Sequence, residues 1–185
     1  MAKPRLFLVA PVDLGADQIL ACATTACATG DVASIVVVPG ILQAVITKLQ
    51  SLGLAVLASG ATEAKCDGVH LNALEDDVKL ARQALGKESI VGAFCGSSRH
   101  VAMQAAEDGA DYIALSQNSY TPGEPIVGWW ADLFEIPCVA FDPVEIDTLD
   151  ILLPQKPDFI RPPDAMWVSP EEARRIVSGL MQRMA

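Results

Sequence analysis

The side chains able to do chemistry are few and scattered. Histidine occurs twice, at His70 and His100, and cysteine five times, at Cys22, Cys27, Cys66, Cys95 and Cys138. A zinc site needs about four convergent nitrogen or sulfur ligands, and no cysteine pair has CxxC spacing. The cysteines therefore read as small buried hydrophobes. Cys95 could line a cavity mouth, but nothing near it in sequence would lower its pKa. His70 sits within the apolar run DGVHL and reads as a hydrogen-bonded core histidine, while His100 reads as a surface residue. Arg99 and Arg161 are the cations best placed to hold an acidic ligand. Asp142 and Glu145 read either as a solvated loop or as a weak cation site with Glu75. The polar stretch from Gln117 and Asn118 through Thr121 to Glu124 could line a pocket. No nucleophile is paired with a base in this pattern, so no residue is assigned to catalysis.

The elements that must position these groups are written in the apolar rhythm. Eight short runs (residues 5–10, 33–38, 54–58, 68–71, 89–94, 111–116, 137–141 and 157–160) are nearly continuous in hydrophobicity. That pattern predicts parallel strands covered on both faces. Helical patterns fall between them at Asp17–Thr29, Ile41–Leu52, Leu74–Leu85, Ser98–Asp108 and Val127–Phe134, and a last one at Pro170–Met184. Ser169 is placed to cap the last helix, with Pro170 at its first position and Glu171 and Glu172 in its first turn. Thr62–Lys65 has room for one helical turn, and Asp142–Leu153 is a short helix candidate. Strands alternating with helices predict a compact (β/α)8 TIM barrel over residues 1–185, a single domain with some shortened helices. The competing fold, an open doubly wound sheet, usually carries an early Gly-rich phosphate loop, and none is present. In a barrel the ligand site lies at the C-terminal ends of the strands, where Gln117, Asn118 and Arg161 fall.

Composition narrows the partners. The net charge is −10, which disfavours nucleic acid and anionic membrane surfaces. No run approaches the ~18 apolar residues of a membrane span. Pro11 and Asp13 interrupt the first apolar run, so no signal peptide is expected and the cytoplasm is the expected compartment. Trp129 and Trp130 are adjacent and cannot both face the barrel, which makes a homodimer contact through one of them a candidate.

Two segments carry a family resemblance: CDGVHL (66–71) and VGAFCGSSRHVAMQAAEDGADYIALSQNSYTPGE (91–124). With LFLVAPVD (residues 6–13) they resemble the thiamine phosphate synthase/TenI family of (β/α)8 barrels. The resemblance implies a synthase that joins a pyrimidine pyrophosphate to a thiazole phosphate, or a thiazole tautomerase. It implies magnesium only if the synthase chemistry is retained. It places Glu75 at a metal carboxylate position, Ser97 near the family's histidine after strand five, and Thr121 at a kept threonine after strand six.

The sequence departs from the family where anions bind. After strand two, Val38-Pro39-Gly40-Ile41 lacks the family's arginine and lysine. After strand three, Ser59-Gly60 lacks its carboxylate. After strand six the family's lysine becomes Glu124. Pro143, Pro162 and Pro163 remove amide donors where the family cradles a phosphate. The expectation is a diverged member that binds a small molecule at the barrel mouth through Ser97, Arg99, Gln117, Asn118, Thr121 and Arg161, without the standard synthase activity. Active synthase or tautomerase chemistry is the alternative, and an interaction protein that kept only the scaffold is a third reading.

Overall fold

A computed structural model describes residues 3–60, 65–117 and 125–185. Eight strands run in chain order: β1 (Arg5–Val9), β2 (Val32–Val37), β3 (Ala55–Ser59), β4 (Gly68–Asn72), β5 (Ile90–Phe94), β6 (Tyr112–Leu115), β7 (Cys138–Ala140) and β8 (Phe159–Ile160). They pair in parallel and close into a barrel, with β8 returning to β1. The helices are α1 (Ala16–Thr29), α2 (Pro39–Ser51), α3 (Val78–Leu85), α4 (Arg99–Glu107), α5 (Ile126–Leu133), α6 (Leu149–Leu152) and α7 (Pro170–Arg183). The fold is the (β/α)8 barrel that the apolar rhythm predicts.

Side-chain alternation on each strand splits the core in two. One set, Leu6, Leu8, Ile35, Val37, Val56, Val69, Val91, Ile113 and Leu115 among others, faces the helices. The other, built on Phe7, Val36, Leu57, Tyr112, Ala114 and Val139, fills the barrel interior. Burial on both faces is why the strands read as continuous apolar runs.

An aspartate precedes every even-numbered strand: Asp31, Asp67, Asp111 and Asp158. Three of these carboxylates accept the amide of a residue in the preceding strand. Asp67 takes Val56 N at 2.7 Å, Asp111 takes Val91 N at 2.7 Å, and Asp158 takes Cys138 N at 2.8 Å. Asp31 instead accepts the Arg5 guanidinium at 2.8 Å. The open base of the barrel is thereby tied with side chains where ladder bonds run out.

The third helix starts later than its apolar pattern suggests. Residues 74–77 form a turn, in which Asp76 accepts Asn72 N at 2.8 Å and Asp77 caps the helix through Leu80 N at 2.9 Å. Two carboxylates bonding locally to the backbone displace the first helical turn. The 142–153 stretch holds a 3-10 turn at Ile146–Thr148 followed by α6. The helical turn expected at Thr62–Lys65 lies almost wholly outside the described residues. Helix α7 begins as expected, with Ser169 Oγ accepting Glu172 N at 3.3 Å.

Candidate functional site at the barrel mouth

Strand register builds the site from below. His70 pairs with Gly92 on β5, and Gly92 pairs with Tyr112 on β6, so the three form one row. A side chain at the middle position would collide with the Tyr112 ring, at 1.9 Å from Cζ. With glycine there, Tyr112 lies across β5 and its hydroxyl reaches His70 Nδ1 at 2.7 Å. His70 stacks on Tyr112 at 5.8 Å and on Phe141 at 4.9 Å between ring centroids. Phe7 and Phe94 complete an aromatic wall.

Burial sets the protonation of this pair. Taking His70 out of water, with the Arg161 charge nearby, lowers its pKa to about 4. Burial, aided by the Asp111 charge, holds the Tyr112 phenol well above its ordinary value. His70 is therefore neutral at pH 7. The Tyr112 hydroxyl has no other partner among the described residues, so donating to Nδ1 is the arrangement that satisfies its proton. That leaves the hydrogen on Nε2, and Nε2 is buried with no partner.

Above this row stands Arg161, just past β8. Its guanidinium carbon lies 5.3 Å from the centroid of Phe141, and Nη2 donates to Asp164 at 2.7 Å. Its Nε is buried and unpartnered, like His70 Nε2. Across the rim, Ser116 Oγ donates to Asp142 at 2.8 Å. The Gln117 amide brackets the Asp142 backbone, donating to its carbonyl at 2.9 Å and accepting its amide at 3.1 Å.

The backbone donors of Asp142, Val144 and Arg161 are already committed. Asp142 N goes to Gln117, Val144 N goes to Arg161 O at 2.9 Å, and Arg161 N goes to Ala140 O at 3.2 Å. Residues 143, 162 and 163 are prolines and have no amide hydrogen. None of the six positions has an N–H left to turn toward an anion.

The remaining sequence candidates scatter. Ser97 is exposed in the turn before α4, and it is Ser98 that caps the helix by accepting Val101 N at 3.2 Å. Arg99 stacks over Trp129 of α5 at 4.7 Å. Asn118 and Thr121, with the rest of the 118–124 stretch, lie outside the described residues. Cys95 faces the helix layer instead of the mouth, and burial pushes its thiol up to about 12. Trp130 is fully buried and donates to Ile136 O at 2.8 Å.

Glu75 is exposed in the turn after β4. Its neighbours Asp76 and Asp77 are engaged by backbone amides. Among the described residues no three His, Cys, Asp or Glu side chains come together. These residues do not by themselves fit a magnesium ion, which wants near-octahedral oxygen donors.

Sequence reasoning missed Tyr112, Phe141 and Ser116 as site residues. Tyr112 lies on β6, and Ser116 and Phe141 lie just past the ends of β6 and β7, so their convergence depends on register between strands.

A closed ring of eight parallel strands with helices packed on its outer face defines a (β/α)8 barrel. Residues 57–153, a little over half of the chain, match the family TMP-TENI, thiamine monophosphate synthase. A thiamine-phosphate synthase from Hyphomonas neptunium is 33% identical over 157 residues, covering 77% of this chain and 71% of that protein. One from Erythrobacter litoralis is 37% identical over 123 residues, covering 61% of this chain and 58% of that protein. The chain thus spans less than two thirds of the latter relative's length. The chain belongs to the thiamine monophosphate synthase family. Among solved structures, a thiamine phosphate pyrophosphorylase from Pyrococcus furiosus superposes with a TM-score of 0.79 at 17% identity, covering 97% of this chain and 95% of that one, a likeness of fold.

Proposed function

We propose that this family member binds a small, phosphate-free molecule at the barrel mouth and does not join a pyrimidine pyrophosphate to a thiazole phosphate. The observation that carries this reading is the state of the six amide positions at 142–144 and 161–163: three prolines and three committed donors. A phosphate cradle works through free backbone N–H groups. The charges agree with it. Arg161, the cation just past β8, is already paired with Asp164, which weakens what it can offer a dianion.

The test is a condensation assay with both phosphorylated precursors and magnesium, read by chromatography of the product. No product above the protein-free background is expected. Turnover above background overturns the reading.

The second reading is an active synthase or tautomerase. Its support is the identity to proteins named thiamine-phosphate synthase and the guanidinium at the mouth. It would use Arg99, Thr121 and Arg161 toward phosphate and Glu75 toward the cation. The same assay decides between the two.

A further inference from the structure

His70, Phe141 and Arg161 form a three-layer stack, with the imidazole on one side of the phenyl ring and the guanidinium on the other. His70 Nε2–H and Arg161 Nε–H are both buried without an acceptor. Each lacks a hydrogen bond that water would supply. The Arg161 backbone is fixed, since its amide bonds Ala140 O at 3.2 Å and its carbonyl accepts Val144 N at 2.9 Å. The side chain is held more loosely. Its bond to Phe141 O is long, at 3.5 Å, and its short bond goes to Asp164, whose carboxylate is about half exposed. The guanidinium can therefore swing outward, keep that carboxylate, and expose its Nε–H to water.

Protonation of His70 favours that swing. Around the imidazole stand Phe7 from β1, Ser59 from β3, Gly92 from β5, Tyr112 from β6, and Phe141 and Arg161 from just past β7 and β8. The titratable or charged groups among them are the Tyr112 phenol, which burial keeps neutral, and Arg161. Asp142, next to Phe141, is engaged by Ser116, and Asp164 lies beyond Arg161 on its exposed side. An imidazolium would lose its acceptor role toward Tyr112 and would face a second cation across one ring. We propose that Arg161 is a proton-linked latch on the barrel interior: its side chain leaves Phe141 when His70 takes up a proton, and that movement lets water reach the imidazole. The latch does not depend on what the mouth binds. Its sign follows from linkage. Burial and the Arg161 charge hold the closed His70 at about 4, whereas the imidazole in water titrates near 6.5. Between those values the open form binds the extra proton, so opening grows as pH falls.

The test follows exchange of Arg161 Nε–H with water by NMR in protein labelled with 15N-arginine, as protection relative to free arginine. The window is pH 6.5 to 5, above the ordinary range of carboxylate titration. Protection is expected to fall by about fifteenfold across the window in the wild type and to stay flat in His70→Gln. The Ile113 amide, bonded to Pro137 O at 3.0 Å within the sheet, reports unfolding of the whole barrel and is expected to remain far better protected than Arg161 Nε–H. Arg161→Met is expected to raise the His70 pKa, read from its ring resonances. Flat protection in the wild type overturns the proposal. So does an equal fall in His70→Gln, or Arg161 Nε–H exchanging no faster than Ile113. An unchanged His70 pKa in folded Arg161→Met overturns it as well. Where a variant does not fold, the wild-type slope and its comparison with Ile113 decide.

Discussion

The Tyr112 hydroxyl meets His70 Nδ1 at 2.7 Å although a whole strand separates β6 from β4. The pair exists because the intervening strand contributes no side chain at that level. The bridge fixes the imidazole tautomer and leaves the hydrogen on Nε2.

Gly92→Ala should break it. A Cβ there would sit 1.9 Å from Tyr112 Cζ and 2.1 Å from its hydroxyl oxygen. The ring cannot retreat easily, because Phe7 packs against it at 5.4 Å. A loss of about 3 kcal/mol is expected from overpacking, read as a lower urea midpoint. The His70 ring resonances should lose the signature of the tyrosine bond at the same time.

The buried histidine should also write itself into the pH dependence of stability. Its folded pKa, about 4, is depressed from 6.5. Between those values the unfolded chain binds a proton that the folded protein does not. The stability is therefore fully present above pH 6.5 and is lost as pH falls toward 4, by about 3 kcal/mol. His70→Gln should flatten that slope. Denaturant titrations of both proteins across the window check the difference, because the carboxylates are common to both.

Arg82 of α3 is expected to matter more than its position outside the barrel suggests. Its guanidinium donates to Gly109 O at 2.9 Å and to Gly86 O and Ser89 O at 2.7 Å, and it pairs with Asp111. Arg82→Met leaves these acceptors short and should cost about 2–3 kcal/mol. Arg82→Lys should recover only part, because one ammonium cannot reproduce the planar fork. Chemical denaturation of the two variants tests both statements.

Thiol labelling should follow burial. Burial pushes Cys95 and Cys138 up to about 12 and raises Cys22 as well. Native protein treated with iodoacetamide near pH 8 should leave these three unmodified by mass spectrometry, and all should react after denaturation. Modification of native Cys95 would contradict its placement against the helix layer.

The barrel was legible because burial on both faces forces a plain signal. Runs such as SIVVV and DYIAL have no polar face to confuse them. The start of α3 was not, because Asp76 and Asp77 look like helix residues until their carboxylates are seen to hold Asn72 N and Leu80 N. Gln117 and Arg161 were visible as strand-end residues. The His70–Tyr112 bridge was not, because 42 residues separate the partners and only the register through Gly92 joins them. Arg99 was visible as a cation after β5, while its stacking over Trp129 was not, because that depends on how α4 and α5 pack. The aspartates before the even strands went unread, because their shared role appears only where the carboxylates meet amides of the preceding strand.

Strand β8 contributes two residues to the sheet, pairing with two on β1 and two on β7. Much of the join between the first and last strands is made outside the sheet, where α7 packs on α1. There Gly30 leaves space for Val177 and Met181, and Gln18 donates to Trp167 O at 2.6 Å. During synthesis the early strands emerge well before their closing partner does. The ring therefore cannot close before β8 is available to pair with β1 and β7. Over that interval the exposed edges of β1 and of the newest strand are the surfaces most in need of chaperone protection.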